Sequence, residues 1–489
     1  MKTLIHKLFF LYALLAGLGL TLPNRMAAQT FTPLYDFTAA QSETNDGAYP
    51  GAGLILSDGV FYGTTEEGGA NGDGTIFAFN LNSLVHTNLH SFNSASDGST
   101  PYAGLILSGN TLYGTASYGG NSGNGTIFAI QTSGLGFTNL YHFTATVGAN
   151  ATNSDGANPI GGLILSGNTL YGTASAGGAS GYGTVFALNL NNLIFSTLHS
   201  FTNGGDGANP QAGLILSGGI LYGTAENGGS SSAGTVFAIN TSGSGLTNLH
   251  SFGPLAYNSA TEKLTNSDGA NPQAGLILSG STLYGTCESG GIAGEGTVFA
   301  VNTGGSGFAN LHNFTAVSNP FGHGANSDGS TPLAALLFTN NMLYGTAYGG
   351  GASGYGAVFA LNTNGSGFMN LYSFTATFGP YNQNTDGANP MGGLIFSGNN
   401  LYGTASEGGN GGDGTIFSIF AAPPLSLTVS GTKVILTWPA SATGFTLQSV
   451  TNLTSTNWTT VSPSPANVNG QNTVTNQVTG AQMFYRLAQ

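Results

Sequence analysis

The tripeptide Tyr-Gly-Thr occurs seven times in the chain, beginning at Tyr62, Tyr113, Tyr171, Tyr222, Tyr284, Tyr344 and Tyr402, at intervals of 51, 58, 51, 62, 60 and 58 residues. A period of this length marks a repeat architecture, in which each unit buries its apolar face against its neighbours. Each full repeat carries four short runs of β-type composition, here called a to d. In the first repeat they are residues 52–57, 60–64, 75–79 and 87–92. Clusters of Gly, Asn, Asp and Ser separate them, which is the punctuation of tight turns between antiparallel strands.

The run count predicts how the array ends. The last repeat has run a at 392–397, run b at 400–404 and run c at 415–419, and no run d follows. An unmatched d-like segment, Leu34-Tyr-Asp-Phe37, stands instead at the front. A ring in which the N-terminal strand completes the last unit satisfies this count and leaves no sheet edge open. The expectation is an all-β chain: a seven-bladed β-propeller over residues 29–420, closed by residues 31–37. Phe77, Phe128, Phe186, Phe237, Phe299, Phe359 and Phe417 recur in run c. They are expected to pack blade on blade, each contributing about 1.5–3 kcal/mol.

The flanks differ in composition. Residues 1–28 read as a secretory signal, with Lys2 and Lys7 before an apolar stretch and Met26-Ala27-Ala28 before Gln29. No later apolar run is long enough to span a membrane as a helix. At Ala421-Ala-Pro-Pro424 the repeat pattern stops, so 421–424 read as a linker, and residues 425–489 hold both tryptophans, Trp438 and Trp458. Six alternating runs there predict a small Ig/fibronectin-III-like β-sandwich. Removing the signal leaves Lys263, Lys433 and Arg486 against 19 acidic residues, a net charge of −16. That excludes nucleic acid as a partner, since nothing would neutralise phosphates. The single cysteine, Cys287, replaces the Ala found after Tyr-Gly-Thr in other repeats and reads as a buried filler.

The segment Gly-Leu-Ile-Leu-Ser-Gly-Asn-Thr-Leu-Tyr-Gly-Thr-Ala-Ser at 104–117, followed by Gly119-Gly120 and Gly125-Thr-Ile-Phe128, resembles the GloVer repeat of Gloeobacter and Verrucomicrobia surface proteins. The resemblance covers residues 31–420. It implies export with one of various C-terminal anchors and no established activity. Kelch propellers also carry Gly-Gly after strand b, but the repeats here contain no Trp.

In a propeller the d-to-a and b-to-c loops emerge on one face. The d-to-a loops carry Asp46, Asp97, Asp155, Asp206, Asp268, Asp328 and Asp386, each followed by Gly and, four residues on, by Pro. These seven are the candidate ligand-binding residues. One reading is a turn in which the carboxylate accepts backbone N–H bonds. The other is a cation or carbohydrate role, with calcium the only candidate cofactor, although the spacing is not that of an EF-hand. The b-to-c loops add Glu66, Glu67, Asp73, Glu226, Glu288, Glu295 and Glu407 without periodicity. Tyr49, Tyr118, Tyr182, Tyr348 and Tyr355 lie in or beside these loops as candidate exposed aromatics. His90, His199, His250 and His312 share one position in run d with Tyr35, Tyr141 and Tyr372, so the slot asks for a flat amphipathic ring rather than a ligand. The Gly-rich segments lack the Lys and helix of a phosphate loop. The sequence therefore favours a secreted or cell-surface binding or adhesion protein, with a polysaccharide or another surface protein as partner. A polysaccharide hydrolase or lyase and a structural surface-layer component are the alternatives.

Overall fold

The computed structural model describes residues 30–38, 46–339, 341–420, 425–431, 433–440, 445–452, 457–468, 470–477 and 483–488. The segments read as signal (1–28) and linker (421–424) lie outside the described residues. Among the described residues there are strands and turns and no helix. Two compact units are present, one spanning Phe31–Phe420 and one that includes Ala421–Gln489.

In the first repeat Ile55–Ser57, Val60–Thr65, Thr75–Asn80 and Val85–Ser91 pair antiparallel in chain order. The same four-stranded order recurs through the sixth repeat. In the seventh, Ile395–Ser397, Asn400–Ala405 and Thr415–Phe420 take Phe31–Asp36 as their fourth strand, with Phe31 opposite Ile419 and Asp36 opposite Thr415.

The Tyr-Gly-Thr motif has a steric and a polar reason. A Cβ on Gly63 would stand 2.6 Å from the Phe77 ring and 2.9 Å from Leu54, so only Gly lets the strand-c Phe lie across strand b. The following Thr hydroxyl donates to a carbonyl in the next repeat's entry segment. Thr64 reaches Ala103, Thr115 Gly161, Thr173 Ala212, Thr224 Ala274, Thr286 Ala334 and Thr346 Gly392, and Thr404 reaches back to Ala52. The core follows the same logic, with each strand-c Phe buried beside residues of the preceding repeat, as Phe128 is beside Tyr62, Ile76 and Phe92.

Run a forms a shorter strand than its apolar composition suggests, three residues instead of six. Its first half lies where neighbouring repeats meet backbone to backbone. A Cβ on Gly53 would stand 3.2 Å from the Gly393 carbonyl, and that segment's carbonyls accept the Thr hydroxyls rather than ladder bonds.

In the C-terminal unit, Ser426–Ser430, Lys433–Pro439, Gln471–Gln477 and Ala466–Val468 form one antiparallel sheet, and Thr459–Thr460, Thr446–Val450 and Phe484–Ala488 another. Trp438, Leu436 and Val474 of the first sheet share a buried cluster with Leu447 of the second and Val461. Ala466–Val468 is a strand that the sequence pattern does not announce.

Candidate ligand-binding face

The seven Asp side chains occupy one repeated environment. The Tyr35 hydroxyl donates to Asp46 (2.9 Å), Tyr141 to Asp155 (2.8 Å) and Tyr372 to Asp386 (2.8 Å). His90, His199, His250 and His312 hydrogen-bond through Nε2 to Asp97, Asp206, Asp268 and Asp328 at 2.6–3.1 Å. Each carboxylate also accepts a backbone N–H from the residue after the buried strand-d Phe, as from Thr144 to Asp155 (2.8 Å) and Gly253 to Asp268 (3.0 Å). The Asp-Gly loop is thereby latched to the outer strand of the preceding sheet. At Asp206 burial raises the pKa, but hydrogen bonds from Thr202 and His199 outweigh it and hold the carboxyl below its usual range.

The partner rings stack on the next sheet. His90 lies on Phe137 (centroids 3.8 Å), Tyr141 on Phe195 (4.1 Å), His250 on Phe308 (3.7 Å), His312 on Phe368 (3.8 Å) and Tyr372 on Phe31 (4.1 Å). Tyr35 stacks instead on His86 (4.6 Å), which stands where those repeats have Phe. The His86 Nε2 is buried without a hydrogen-bond partner, and burial pulls its pKa down to about 4 against a smaller opposing effect of Asp46.

A second polar group forms from the residues after some of the loop prolines and after some of the strands b. Gln273 Nε2 donates to Glu288 (2.6 Å) and Glu226 (3.2 Å), and Gln211 also donates to Glu226. The Tyr102 hydroxyl lies 3.9 Å from the Met391 sulfur, a contact that spans the first-repeat sheet. Burial first, then Glu66, Tyr348 and Glu288, push the Tyr102 phenol up, so these side chains share one field. Glu66 lies over Gly51, whose missing side chain makes the room. Burial and the neighbouring Glu67 push its carboxyl up to about 7, and its buried Oε1 has no hydrogen-bond partner. Glu288 is raised by burial and by Glu226. The set pairs a carboxyl that holds its proton near neutrality with amide-clamped carboxylates and phenols, groups suited to hydroxyl-rich ligands or to proton donation.

Sequence reading singled out the glutamates but missed Tyr102, Gln211, Gln273 and Met391. Their signal was the position after Pro, which reads Gly51, Tyr102, Ile160, Gln211, Gln273, Leu333 and Met391 within an otherwise repeated loop. Of the five loop tyrosines, only Tyr118 (50 %) and Tyr182 (38 %) are exposed, while Tyr49, Tyr348 and Tyr355 are half-buried. Tyr355 stacks on His323, which is itself exposed, at 4.1 Å. Cys287 is fully buried and its thiol is pushed well up by burial. Among the described residues no group of three His, Cys, Asp or Glu is arranged to hold a metal ion, and no helix is long and apolar enough to cross a membrane.

The chain belongs to the Gloeobacter/Verrucomicrobia repeat family, whose model matches residues 17–154, 144–270 and 256–472. A comparison with curated proteins gives no match. Among solved structures it is similar to an oligogalacturonate lyase from Vibrio parahaemolyticus (8 % identity, 81 % of this chain and 97 % of that one, TM-score 0.46). It is also similar to a GH74 enzyme from Niastella koreensis (15 %, 84 % and 59 %, 0.47) and to a puromycin-hydrolyzing peptidase from Mycobacterium tuberculosis (11 %, 85 % and 62 %, 0.44).

Proposed function

We propose that this member of the Gloeobacter/Verrucomicrobia repeat family is a secreted or cell-surface protein that binds extracellular polysaccharide without chemistry, on the loop face of a closed seven-bladed β-propeller. Residues 1–28 direct export, residues 29–420 form the ring with Phe31–Asp36 as the outer strand of its last blade, and the C-terminal sandwich serves display or sorting. Closure is supported by the series of Thr-to-carbonyl hydrogen bonds, whose seventh member, Thr404 to Ala52, returns to the first repeat. The observation that carries the binding reading is the gathering of Tyr102, Gln211, Gln273, Glu66, Glu226 and Glu288 on that face. The seven Asp side chains are engaged internally, so in this reading they shape the face rather than supply its ligands. Purified residues 29–489 should co-sediment with at least one insoluble polysaccharide, with no release of soluble sugar. Loss of retention in chelator would bring calcium into the site.

A polysaccharide hydrolase is the second reading, and Glu66 is what favours it. A carboxyl raised to about 7 is suited to general-acid work on a glycosidic oxygen. Sugar released by the wild type and not by Glu66→Gln would establish that reading in place of the first.

A further inference from the structure

The junction between the seventh and first repeats departs from the others in its side chains. The residue before the loop Pro has positive φ in every repeat: Asn158, Asn209, Asn271 and Asn389, Thr100 and Thr331, and here Tyr49 (φ 58°). Asn suits that left-handed conformation, and three of these four place an amide within 3.1 Å of a carbonyl in the preceding b-to-c loop. Tyr49 gives up both advantages. Glu407 and Asp413 stand where the fourth repeat has Asn227 and Ala233 and the first has Glu67 and Asp73, so Tyr49 is what sets this junction apart. Tyr49, Tyr381, Asn382, Glu407 and Asp413 line a cleft of about 400 Å³, within the range of small-ligand sites. Tyr381 is 56 % exposed, so an aromatic surface faces solvent there. Burial first, then Asp413, Glu67 and Glu407, push the Tyr49 phenol up, which marks the field of the cleft as negative. Tyr348 hydrogen-bonds Glu407 and also feels Glu66, so the cleft continues electrostatically into the glutamate and tyrosine group described above.

We propose that this cleft is a subsite for one pyranose unit carrying no carboxylate, a neutral or amino sugar of the bound polysaccharide. The assignment rests on the polysaccharide-binding reading and deepens it. Aromatic faces stack on the apolar face of a sugar ring, while Glu407 and Asn382 offer an acceptor and an amide to its hydroxyls. A uronate would bring a further negative charge beside Glu407 and Asp413, and the only cation of the described repeat unit, Lys263, is paired with Glu295 at 3.7 Å.

The test is calorimetric titration of residues 29–489 with cellohexaose, the chitosan hexamer and hexagalacturonate. Binding of one of the first two, none of the third, and at least ten-fold weaker binding in both Tyr49→Asn and Glu407→Ala is the expected result. Tyr49→Asn installs the residue that four repeats already carry, so the fold is kept. Preference for hexagalacturonate, or hexamer binding untouched by both substitutions, overturns the assignment. If no hexamer binds, and wild type and variants are retained equally by an insoluble polysaccharide, the cleft assignment fails while the broader reading stands. If nothing is retained, both fall.

Discussion

Two ionisable groups in the first repeat set opposing pH dependences that can be separated by substitution. His86 is held neutral, with its pKa lowered from 6.5 to about 4. The unfolded chain therefore binds that proton first on acidification. The His86 contribution is complete above pH 6.5 and is lost as pH falls towards 4. Glu66 has the opposite sign, since its pKa is raised from 4.5 to about 7. Its contribution is complete below pH 4.5 and is lost as pH rises through 7. At full value each displacement corresponds to ~3 kcal/mol, and partial solvent access reduces this to about 2 kcal/mol. Between pH 4.5 and 6.5 the two slopes cancel in the wild type. His86→Phe restores the ring found at Phe137, Phe195, Phe308 and Phe368 and removes the unpartnered buried nitrogen. In that variant, urea-unfolding stability should fall by about 2 kcal/mol from pH 4.5 to 7, relative to wild type. Glu66→Gln should show the reverse tilt, gaining about 2 kcal/mol over wild type above pH 7 and little at pH 4.5. If either variant's stability runs parallel to wild type across this window, the assignment of that group's protonation state is wrong.

Removing residues 29–38 should destabilise the repeat unit by more than the ~3–5 kcal/mol of one buried Phe-to-Ala change, because Phe37 is fully buried and the strand fills the seventh sheet; an unchanged melting temperature would exclude the strand-sharing closure. Asp155→Ala strands the Tyr141 hydroxyl and the Thr144 N–H, so a loss of about 2–5 kcal/mol in denaturant stability is expected, whatever ligand is present. A variant that loses affinity without losing stability would instead make Asp155 a ligand group. Cys287 should resist a thiol-specific reagent in the folded protein and react stoichiometrically once it is unfolded.

Much of the repeat unit is legible in the sequence because its constraints recur. Gly63 and its counterparts must lack a Cβ to admit the strand-c Phe, and the adjoining Thr must reach the next repeat. Seven occurrences separate such requirements from accident. The hairpin Ala256–Asn258 with Lys263–Thr265 occurs once, in an insertion without apolar alternation, and offered no comparable signal. Ala466–Val468 is exposed throughout, so burial leaves no mark on its composition. The polar group on the loop face was half legible. Carboxylates draw notice wherever they fall, whereas Tyr102 and Gln273 acquire meaning only when residues from different repeats are seen to meet.

Departure from the repeat is the sharper guide to function, because an interaction made in all seven units, such as the Asp latch, already has a structural account. Three departures that cost stability fall in the first repeat and its entry loop: Tyr49 with positive φ, Glu66 over Gly51, and His86 against the closing strand. Only the first two face the candidate site. Replacing Tyr49 by Asn should relieve ~1 kcal/mol of left-handed strain, and at pH 7.5 Glu66→Gln adds about 2 kcal/mol. The Glu66 N–H donates to the Tyr49 carbonyl (3.1 Å), so the two sites are neighbours, and the pair should stabilise the fold without the two gains adding in full. The same pair should abolish retention on polysaccharide, while His86→Phe, which stabilises below pH 6.5 without touching the loop face, should leave retention intact. Retention that follows stability in all three variants would mean that the irregularities are tolerated defects. Retention lost only with Tyr49 and Glu66 would mean that this face keeps its strain for the sake of the ligand.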